Sequence, residues 1–399
     1  MTREILYRNP DLAKLWLGQM LSQIGTKMFQ IALIWWFISQ FEGQSGKLIG
    51  WLLIFGVAPS VLMVRWIGQL VEKSELKSLI IRSDLFAFIV CCTLLVSLAL
   101  NFKEPWIFFL ASFCLSSSQA VIDPAVNKFL PKLSHTEDLN FAVALISSTL
   151  TFASFLGALI GAIVIASLGL KGSLIFNAAS YLVSCLICLR ISTKSDISQS
   201  VDEIVGNLSE IIYKHKFFIS VMIVFAAINI FLTPVLVTMP LYVKNILDGG
   251  AYTLAVMEAF LWAGMLLGSF MTDFTKKYQD VLLVGFVTMT IVGFALIGGA
   301  MSQNLWAYGG GMLFIGASLG LMNVRFISMF QEKVPESDKG RFFALLMAVI
   351  NAFTPIGFLG FGILVDKYSV ITLSIAQGLG VIAIGIGFLI LRRWRPKTL

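Results

Sequence analysis

A lysine interrupts the first long apolar stretch of the sequence, where a charged side chain is costly. It belongs to a stripe of polar residues spaced by four, four and three positions, namely Gln19, Gln23, Lys27 and Gln30. This spacing places them within about 80° of one helix face, and Ser22 and Thr26 are expected to extend that face. Lys27 would lie roughly 20 Å from either end of a membrane-spanning helix, too far for its ammonium group to reach water along the helix surface. We therefore expect the stripe to face a central cavity and to contact a substrate with an acidic or oxygen-rich group. The alternative is a buried ion pair with an acid on a neighbouring helix.

A glutamate interrupts a second apolar stretch, YTLAVMEAFLWAGMLLG. No charged residue lies within nine positions of Glu258 on either side. A carboxylate alone at that depth is unfavourable, so the side chain either faces a polar cavity or stays protonated. Both states suit a residue that binds a coupling proton. A neutral glutamate hydrogen-bonded across a helix interface is the alternative.

No arrangement of residues typical of catalysis or metal binding is visible. His135 and His215 lie in polar connections without metal-ligand spacing, and the five cysteines fall in apolar segments. A P-loop of the GK[ST] type, which would indicate ATP binding, is missing from the sequence. We expect a protein that is not an enzyme and that needs no cofactor and no metal.

The composition indicates a membrane protein. The chain has 399 residues, of which 58% are hydrophobic and 13% charged, with a mean hydropathy of +0.88. A soluble domain carries about 25% charged residues. Apolar runs long enough to cross a bilayer recur along the whole length, which predicts a polytopic all-α membrane protein. A β-barrel would show shorter segments of alternating polarity.

Charges, glycines and prolines divide the sequence into twelve predicted spans. Their limits are 12–40, 48–70, 78–101, 105–128, 139–167, 171–191, 217–246, 250–273, 280–301, 305–333, 339–365 and 370–392. If the connections alternate between two sides, 23 of the 29 Lys and Arg fall on the side of both termini and five on the other. Because basic residues concentrate on the cytoplasmic side, both termini are predicted to be cytoplasmic. The net charge of +7 therefore reflects topology, and we expect no nucleic-acid partner.

One long polar segment divides the spans into two sets of six. Between 201 and 212 its apolar residues recur at intervals of three and four, which predicts an amphipathic helix on the cytoplasmic surface. We predict an N-terminal bundle at 1–191, a linker at 192–216 and a C-terminal bundle at 217–399. The two halves repeat: KLSHTEDLNFAVAL from Lys132 resembles KVPESDKGRFFALL from Lys333, 201 residues later, and GQLVEKSELK has a weaker echo in GSFMTDFTKK. Duplicated bundles suit alternating access to a central site.

The connection after the second span carries a family resemblance. GQLVEKSELK resembles the loop signature of the major facilitator superfamily, Gly-x-Leu-x-Asp-Arg-x-x-Arg-Lys. Gly68 and Leu70 match, Glu72 replaces the aspartate, Lys73 replaces the first arginine, and Lys77 supplies the later basic residue. The segments DPAVNKFLPKL and VPESDKGRFFAL resemble the branch that contains macrolide efflux proteins and the enterobactin exporter. The resemblance implies a fold of twelve helices in two pseudo-symmetric six-helix bundles.

The resemblance also implies roles for particular residues. In the superfamily an acid on span 4 pairs with the loop bases to hold the two halves together, so Asp123 is expected to pair with Lys77 or a neighbouring base. The residues expected at this cytoplasmic gate are Gly68, Glu72, Lys73, Lys77, Asp84, Asp123 and Arg341. The alternative is a set of interfacial ion pairs that only anchor the helices.

Spans 1, 4, 7 and 10 line the cavity in that superfamily. This adds Asn229, Asn323 and Arg325 to the expected substrate contacts, although Arg325 is also placed to pair or to reach the cytoplasmic boundary. Two Gly-x-x-x-Gly pairs are expected where helices pack closely, Gly157 with Gly161 and Gly264 with Gly268.

Together these features predict a secondary active transporter in the cytoplasmic (inner) membrane. We expect it to export an amphiphilic small molecule, such as a drug, a macrolide-like compound or a siderophore, by alternating access in exchange for protons. The expected partners are that substrate, protons and the lipid bilayer, with the chain acting as a monomer. One alternative is an importer or facilitator of a polar nutrient. Another is a non-transporting receptor or assembly factor on the same fold.

Overall fold

The computed structural model describes residues 2–192, 212–272 and 280–394, and within these ranges the chain is helical apart from its connections. The helices of the first half are α1 (Thr2–Arg8), α2 (Pro10–Gln40), α3 (Ser45–Leu62), α4 (Val64–Lys73), α5 (Leu76–Ala99), α6 (Pro105–Leu133) and α7 (Leu139–Leu189), with a 3₁₀ turn at Thr136–Asp138. Those of the second half are α8 (Lys216–Ala227), α9 (Asn229–Leu232), α10 (Val235–Asn245), α11 (Ala251–Phe270), α12 (Val281–Ser302), α13 (Leu305–Lys333), α14 (Glu336–Leu364) and α15 (Val370–Arg393).

The contacts divide the chain into two compact units. Unit 1 comprises Met1–Phe37 and Leu52–Asp202, and unit 2 comprises Ile38–Trp51 and Glu203–Leu399. The predicted amphipathic linker at 192–216 falls for the most part on residues 193–211, which lie outside the described residues, as do residues 273–279 at the end of the weaker sequence echo. The linker helix and the predicted bundle limits therefore stay predictions.

Helices cover all twelve predicted spans, although they do not correspond one to one. Within the described ranges, ten helical stretches are long and apolar enough to cross a membrane. One of them, in α7, contains the fifth and sixth predicted spans, and α2, which covers the first, is not among the ten. The number of crossings and the side of the termini stay predictions.

Gly169 divides α7 between the two spans predicted there. Its φ of 60° and ψ of −155° lie in a region that glycine adopts readily and other residues rarely do. The chain therefore kinks at this residue, within α7. The predicted seventh span is divided as well, because α8, α9 and α10 follow one another with breaks at Ile228 and at Thr233–Pro234.

Each unit has its own apolar core. In unit 1, buried residues of α2, α4, α5 and α6 pack together, among them Leu15, Ile67, Leu79 and Phe129. In unit 2, phenylalanine rings from four helices contact one another, and these rings are Phe225, Phe326, Phe330, Phe342 and Phe388. Large apolar side chains such as Ile163 and Phe294 are exposed on the outside, as expected for a surface that faces lipid.

Glycines bring α11 and α13 of unit 2 into backbone contact. A Cβ atom at Gly264 or Gly268 would overlap the backbone of Leu313 or Ala317 on α13, and one at Gly316 or Gly320 would overlap the backbone of α11. Sequence reasoning named only the pair on α11, although Gly316 and Gly320 have the same spacing. The structure adds the reciprocal pair on α13, so that two Gly-x-x-x-Gly motifs face each other.

This contact gives a first testable prediction. Gly268→Ala should destabilise the protein by about 1–3 kcal/mol, because the added methyl group overlaps Ala317 and forces α11 and α13 apart. Gly310→Ala on α13 is the matched control, because nothing lies within 4 Å of the position that its Cβ atom would occupy and alanine favours a helix by about 1 kcal/mol over glycine. Thermal unfolding of the purified variants in detergent measures the difference. Equal melting temperatures for the two variants would contradict the contact.

Candidate functional site

Lys27 is buried in unit 1, at a close contact between α2 and α7. Its side chain is only 7% exposed. A Cβ atom at Gly157 of α7 would lie 2.9 Å from both the Lys27 Cβ and the Ile24 carbonyl oxygen. One turn further along, the same atom on Gly161 would lie 3.3 Å from Met28 Cγ. The predicted Gly157 and Gly161 pair therefore leaves room for the stem of the lysine.

Polar atoms on α2 lack hydrogen-bond partners within the described residues. They are Gln19 Nε2, Gln23 Oε1 and Trp16 Nε1, all of them buried. Unpartnered buried polar atoms are rare in folded proteins and commonly bind water or a ligand. The sequence indicates the two glutamines but not Trp16, because its indole ring counts as apolar. Trp16 is three positions before Gln19, so the spacing alone would have placed it on the same helix face. Gln30, the last residue of the stripe, is half-buried.

Thr26 does not extend this stripe towards an open cavity, contrary to the expectation from its spacing. Its hydroxyl hydrogen-bonds with the Tyr181 hydroxyl at 2.8 Å and donates to the Ser22 carbonyl oxygen at 2.8 Å. Ser22 Oγ in turn donates to the Gln19 carbonyl oxygen. The hydroxyl groups of Ser22 and Thr26 are therefore hydrogen-bonded to other groups of the protein.

Thr26 faces a row of polar residues on the second part of α7 that we call the polar seam, comprising Asn177, Ser180, Tyr181 and Ser184. All four are buried, and their i, i+3, i+4 and i+7 spacing puts them on one helix face. Gly18 and Gly25 of α2 lie directly against Ser184 and Ser180. Sequence reasoning missed the seam, although this spacing within an apolar helix was a signal for it.

Glu258 is buried in unit 2, with its side chain 1% exposed. Its Oε2 accepts a hydrogen bond from Trp262 Nε1 at 3.3 Å, one turn further along α11. Asn323 and Arg325 of α13 are both half-buried.

Asn229 begins α9. Its Nδ2 donates a hydrogen bond to the Ala226 carbonyl oxygen at 3.1 Å, so its side-chain amide bonds to the backbone at the break between α8 and α9.

Sequence reasoning also missed Gln377 on α15, a buried polar residue of unit 2. Its Oε1 accepts from Thr238 Oγ1 at 3.0 Å. Its Nε2 has no hydrogen-bond partner in the part of the chain that the structure describes. A single glutamine in the apolar segment TLSIAQGLGVIA was the signal for this position.

The predicted gate residues do not form the expected ion pair in this structure. Gly68, Glu72 and Lys73 are exposed. Lys77 Nζ donates to the Ile191 carbonyl oxygen at 2.6 Å, while the exposed Asp123 accepts from Gln119 Nε2 at 2.6 Å. No ion pair joins Asp123 to a basic residue among those described. The gate role stays a prediction.

Asp84 also differs from the sequence expectation, which groups it with the gate because it follows the loop closely in sequence. The structure buries it completely and joins its Oδ2 to Ser184 Oγ of the polar seam at 2.7 Å. It therefore belongs to the interior of unit 1, between α5 and α7, and not to the exposed loop. Seven residues separate it from Lys77, which is enough to carry it into the helix packing.

An acid at the start of the fifth predicted span holds the beginning of α2 in unit 1. Asp138 Oδ2 accepts from Asn9 Nδ2 at 2.7 Å and pairs with Arg8 Nη2 at 2.7 Å. The Asn9 amide and the Arg8 guanidinium lower the pKa of Asp138, and the hydrogen bond to Asp138 raises the pKa of Arg8. We call these three residues the entry cluster of unit 1.

Unit 2 repeats this arrangement 200 residues later. Asp338 pairs with Lys214 Nζ at 2.7 Å and His215 Nε2 at 2.9 Å, just before α8, and with Arg341 Nη2 at 3.0 Å. The structure therefore matches Asp138 with Asp338, whereas the sequence alignment at an offset of 201 matches Glu137 with Asp338. Arg341, expected at the gate, belongs to this entry cluster of unit 2.

The residues that the structure describes contain no group of three or more His, Cys, Asp and Glu that could hold a metal ion. The five cysteines are free thiols that are buried or half-buried. Unit 1 contains the buried cation Lys27 and unpartnered polar atoms on α2, and unit 2 contains the buried acid Glu258. Ionisable residues buried in apolar helices are candidates for binding substrates or ions.

Comparisons with known proteins show the family and the fold. The family model described as Major Facilitator Superfamily matches residues 15–358. Macrolide efflux protein A of Streptococcus pyogenes is 23% identical over 387 residues, which cover 93% of this chain and 93% of that protein. The uncharacterized MFS-type transporter YvqJ of Bacillus subtilis is 22% identical and covers 92% of this chain and 89% of its own length. The crystal structure of the nucleoside transporter NupG has the same fold, with a TM-score of 0.78 at 13% identity over 96% of this chain and 99% of that one.

The entry cluster of unit 1 predicts a pH-dependent loss of stability. Since its partners lower the pKa of Asp138, the ionised carboxylate stabilises the fold at neutral pH, and this contribution is lost as pH falls through the lowered pKa. Asp138→Asn should therefore lower the melting temperature at neutral pH, and its difference from the wild type should shrink on acidification. Glu137→Gln is the control, because that side chain is 85% exposed and lies farther from Arg8 Nη2 than Asp138 does, at 3.4 Å against 2.7 Å, so its loss should change the stability less. A difference that stays constant with pH would contradict the ion pair.

Proposed function

Because the chain belongs to the major facilitator superfamily and is a multi-pass protein of the cytoplasmic membrane, we propose that it exports an amphiphilic small molecule in exchange for protons. The coupling would follow alternating access, in which the substrate and the proton bind in turn from opposite sides.

The observation that carries the proposal is that each unit buries a charged side chain within an apolar helix. Lys27 on α2 and Glu258 on α11 are 7% and 1% exposed. A charge at such depth costs about 3 kcal/mol on an insertion scale, so a helix that needed only to pack would be more stable with an apolar residue. Such residues commonly bind substrates or coupling ions in membrane proteins.

The direction and kind of substrate rest on similarity. Relatives that match this chain over nearly its full length are named macrolide efflux proteins. Macrolides are large, mostly apolar and rich in carbonyl, ether and hydroxyl oxygens. A lysine ammonium and the unpartnered Trp16 and Gln19 N–H groups would donate hydrogen bonds to such oxygens.

Glu258 is the residue that we assign to the proton. Its neighbours in sequence, Met257 and Ala259, are buried, and its carboxyl accepts a hydrogen bond from the Trp262 indole. When a carboxyl at this depth gains or loses a proton, the charge inside unit 2 changes by one. That change alters the cost of burial by enough to favour one arrangement of the helices over another.

Transport in proteoliposomes tests the proposal. A radiolabelled macrolide should accumulate against its gradient when a pH gradient is imposed, and Glu258→Gln should remove this dependence while substrate exchange at equal pH continues. Glu104→Gln, an exposed acid before α6, is the control and should transport as the wild type does. Macrolide movement that ignores both the pH gradient and Glu258→Gln would overturn proton-coupled export. A host strain whose growth needs the protein for a nutrient, and not for drug resistance, would favour import.

Lys27 gives a further prediction. Lys27→Met keeps the length of the side chain that packs against Gly157 but removes the ammonium group, so it should abolish or alter transport while the amount of protein in the membrane is unchanged. The matched control is Lys47→Met, since Lys47 is exposed. Binding of the radiolabelled macrolide to the purified variants, measured by scintillation proximity, separates lost binding from lost movement. Wild-type transport by Lys27→Met would remove Lys27 from the substrate contacts.

A further inference from the structure

Asp84 is a buried acid that neither the gate nor the substrate contacts account for. Its side chain is 0% exposed. Oδ2 accepts a hydrogen bond from Ser184 Oγ at 2.7 Å. The other oxygen, Oδ1, is buried and has no hydrogen-bond partner among the described residues. One of the two carboxyl oxygens is therefore buried without a hydrogen bond from the described residues.

The groups that surround Asp84 are neutral. From α7 it is faced by Ser184, the phenol of Tyr181 and the thiols of Cys185 and Cys188.

The other packed elements add no cation in contact with it. On α5 itself, Lys77 donates to the Ile191 carbonyl oxygen and Arg82 is exposed. On α6, Ser118 donates to the Ser83 carbonyl oxygen, and on α2, Gly18 lies against Ser184. No Lys, Arg or His within the described ranges forms an ion pair with Asp84.

An ionised carboxylate with one neutral donor and no cation is unfavourable in such surroundings, because it loses its hydration without gaining a counter-charge. A protonated carboxyl avoids that cost. We propose that Asp84 is a proton-binding site of unit 1, occupied in the conformation described here. The step is the transfer of a proton from a hydronium ion to a carboxylate oxygen. One O–H bond of the hydronium ion breaks, one O–H bond forms on Asp84, a water molecule is released, and the charge of the side chain changes from −1 to 0.

The site is coupled to helix packing because α2, α5 and α7 close it together. If the helices separated enough to admit water at Ser184, the ionised form would become favourable and the proton would leave. The polar seam runs from Ser184 along α7 to Tyr181, whose hydroxyl contacts Thr26, the residue before Lys27. Proton release from Asp84 and substrate binding at Lys27 would thus involve the same contact between α2 and α7.

This inference deepens the proposed function by supplying a second carboxyl for proton coupling, and it rests on that function only for the coupling. Protonation of Asp84 itself needs no substrate, so it is tested on the resting protein. A failure of transport in proteoliposomes would leave this test intact.

Infrared spectroscopy of the protein in lipid nanodiscs measures the proton directly. A protonated carboxyl has a C=O stretch apart from the amide and carboxylate bands. Wild type minus Asp84→Asn at neutral pH should show one such band. Asp123→Asn, which changes an exposed acid on α6, is the matched control and should leave that band in place. Retention of the band in Asp84→Asn, or its loss in Asp123→Asn instead, would overturn the assignment.

A second variant keeps the test decisive if Asp84→Asn does not accumulate in the membrane. Asp84→Glu retains a carboxyl one methylene longer, so its band should persist but shift in frequency because the hydrogen bond with Ser184 changes. A band identical to that of the wild type would show that it arises from another residue, and the proposal would fall.

Discussion

Polar groups inside an apolar helical bundle must find their partners within the protein or in a ligand, and this constraint organises both units. A charge in the membrane interior costs about 3 kcal/mol on an insertion scale, and a buried polar atom without a hydrogen bond costs about 1–3 kcal/mol. In unit 1, Thr26, Tyr181 and Ser184 satisfy one another or a neighbour. The polar atoms that remain unpartnered within the described residues, such as Gln19 Nε2, are the ones we assign to ligands.

Two further features position these groups. Glycines allow α7 to approach α2 beside Lys27, and α13 to approach α11 beyond Glu258, because only a residue without a side chain leaves room for backbone contact. At the ends of the helices, Asp138 joins the start of α2 to the start of the fifth predicted span, and Asp338 joins the start of α8 to the start of α14. The same arrangement 200 residues apart is the structural form of the duplication in the sequence.

The sequence reveals those features that depend on local pattern. Lys27 and Glu258 stand out because their neighbours are apolar, and the glycine pairs have a fixed spacing. Partners far apart in sequence are not accessible in this way. Asp84 is near Lys77 in sequence and so resembles a member of the loop cluster, yet its partner, Ser184, is 100 residues away. The entry clusters were missed for the same reason, since Arg8 and Asp138 are separated by 130 residues. Trp16 was missed because an indole ring is apolar except for one N–H group.

If the buried charges couple substrate movement to protons, movement of the substrate down its own gradient should move protons in the opposite direction. Proteoliposomes loaded with a macrolide are diluted into substrate-free buffer of equal pH, and a trapped pH-sensitive dye reports the interior. Macrolide efflux should drive protons inward, so that the interior acidifies in proportion to the substrate lost. A protonophore should abolish this change of internal pH. Macrolide efflux at the wild-type rate without any change of internal pH would contradict the coupling.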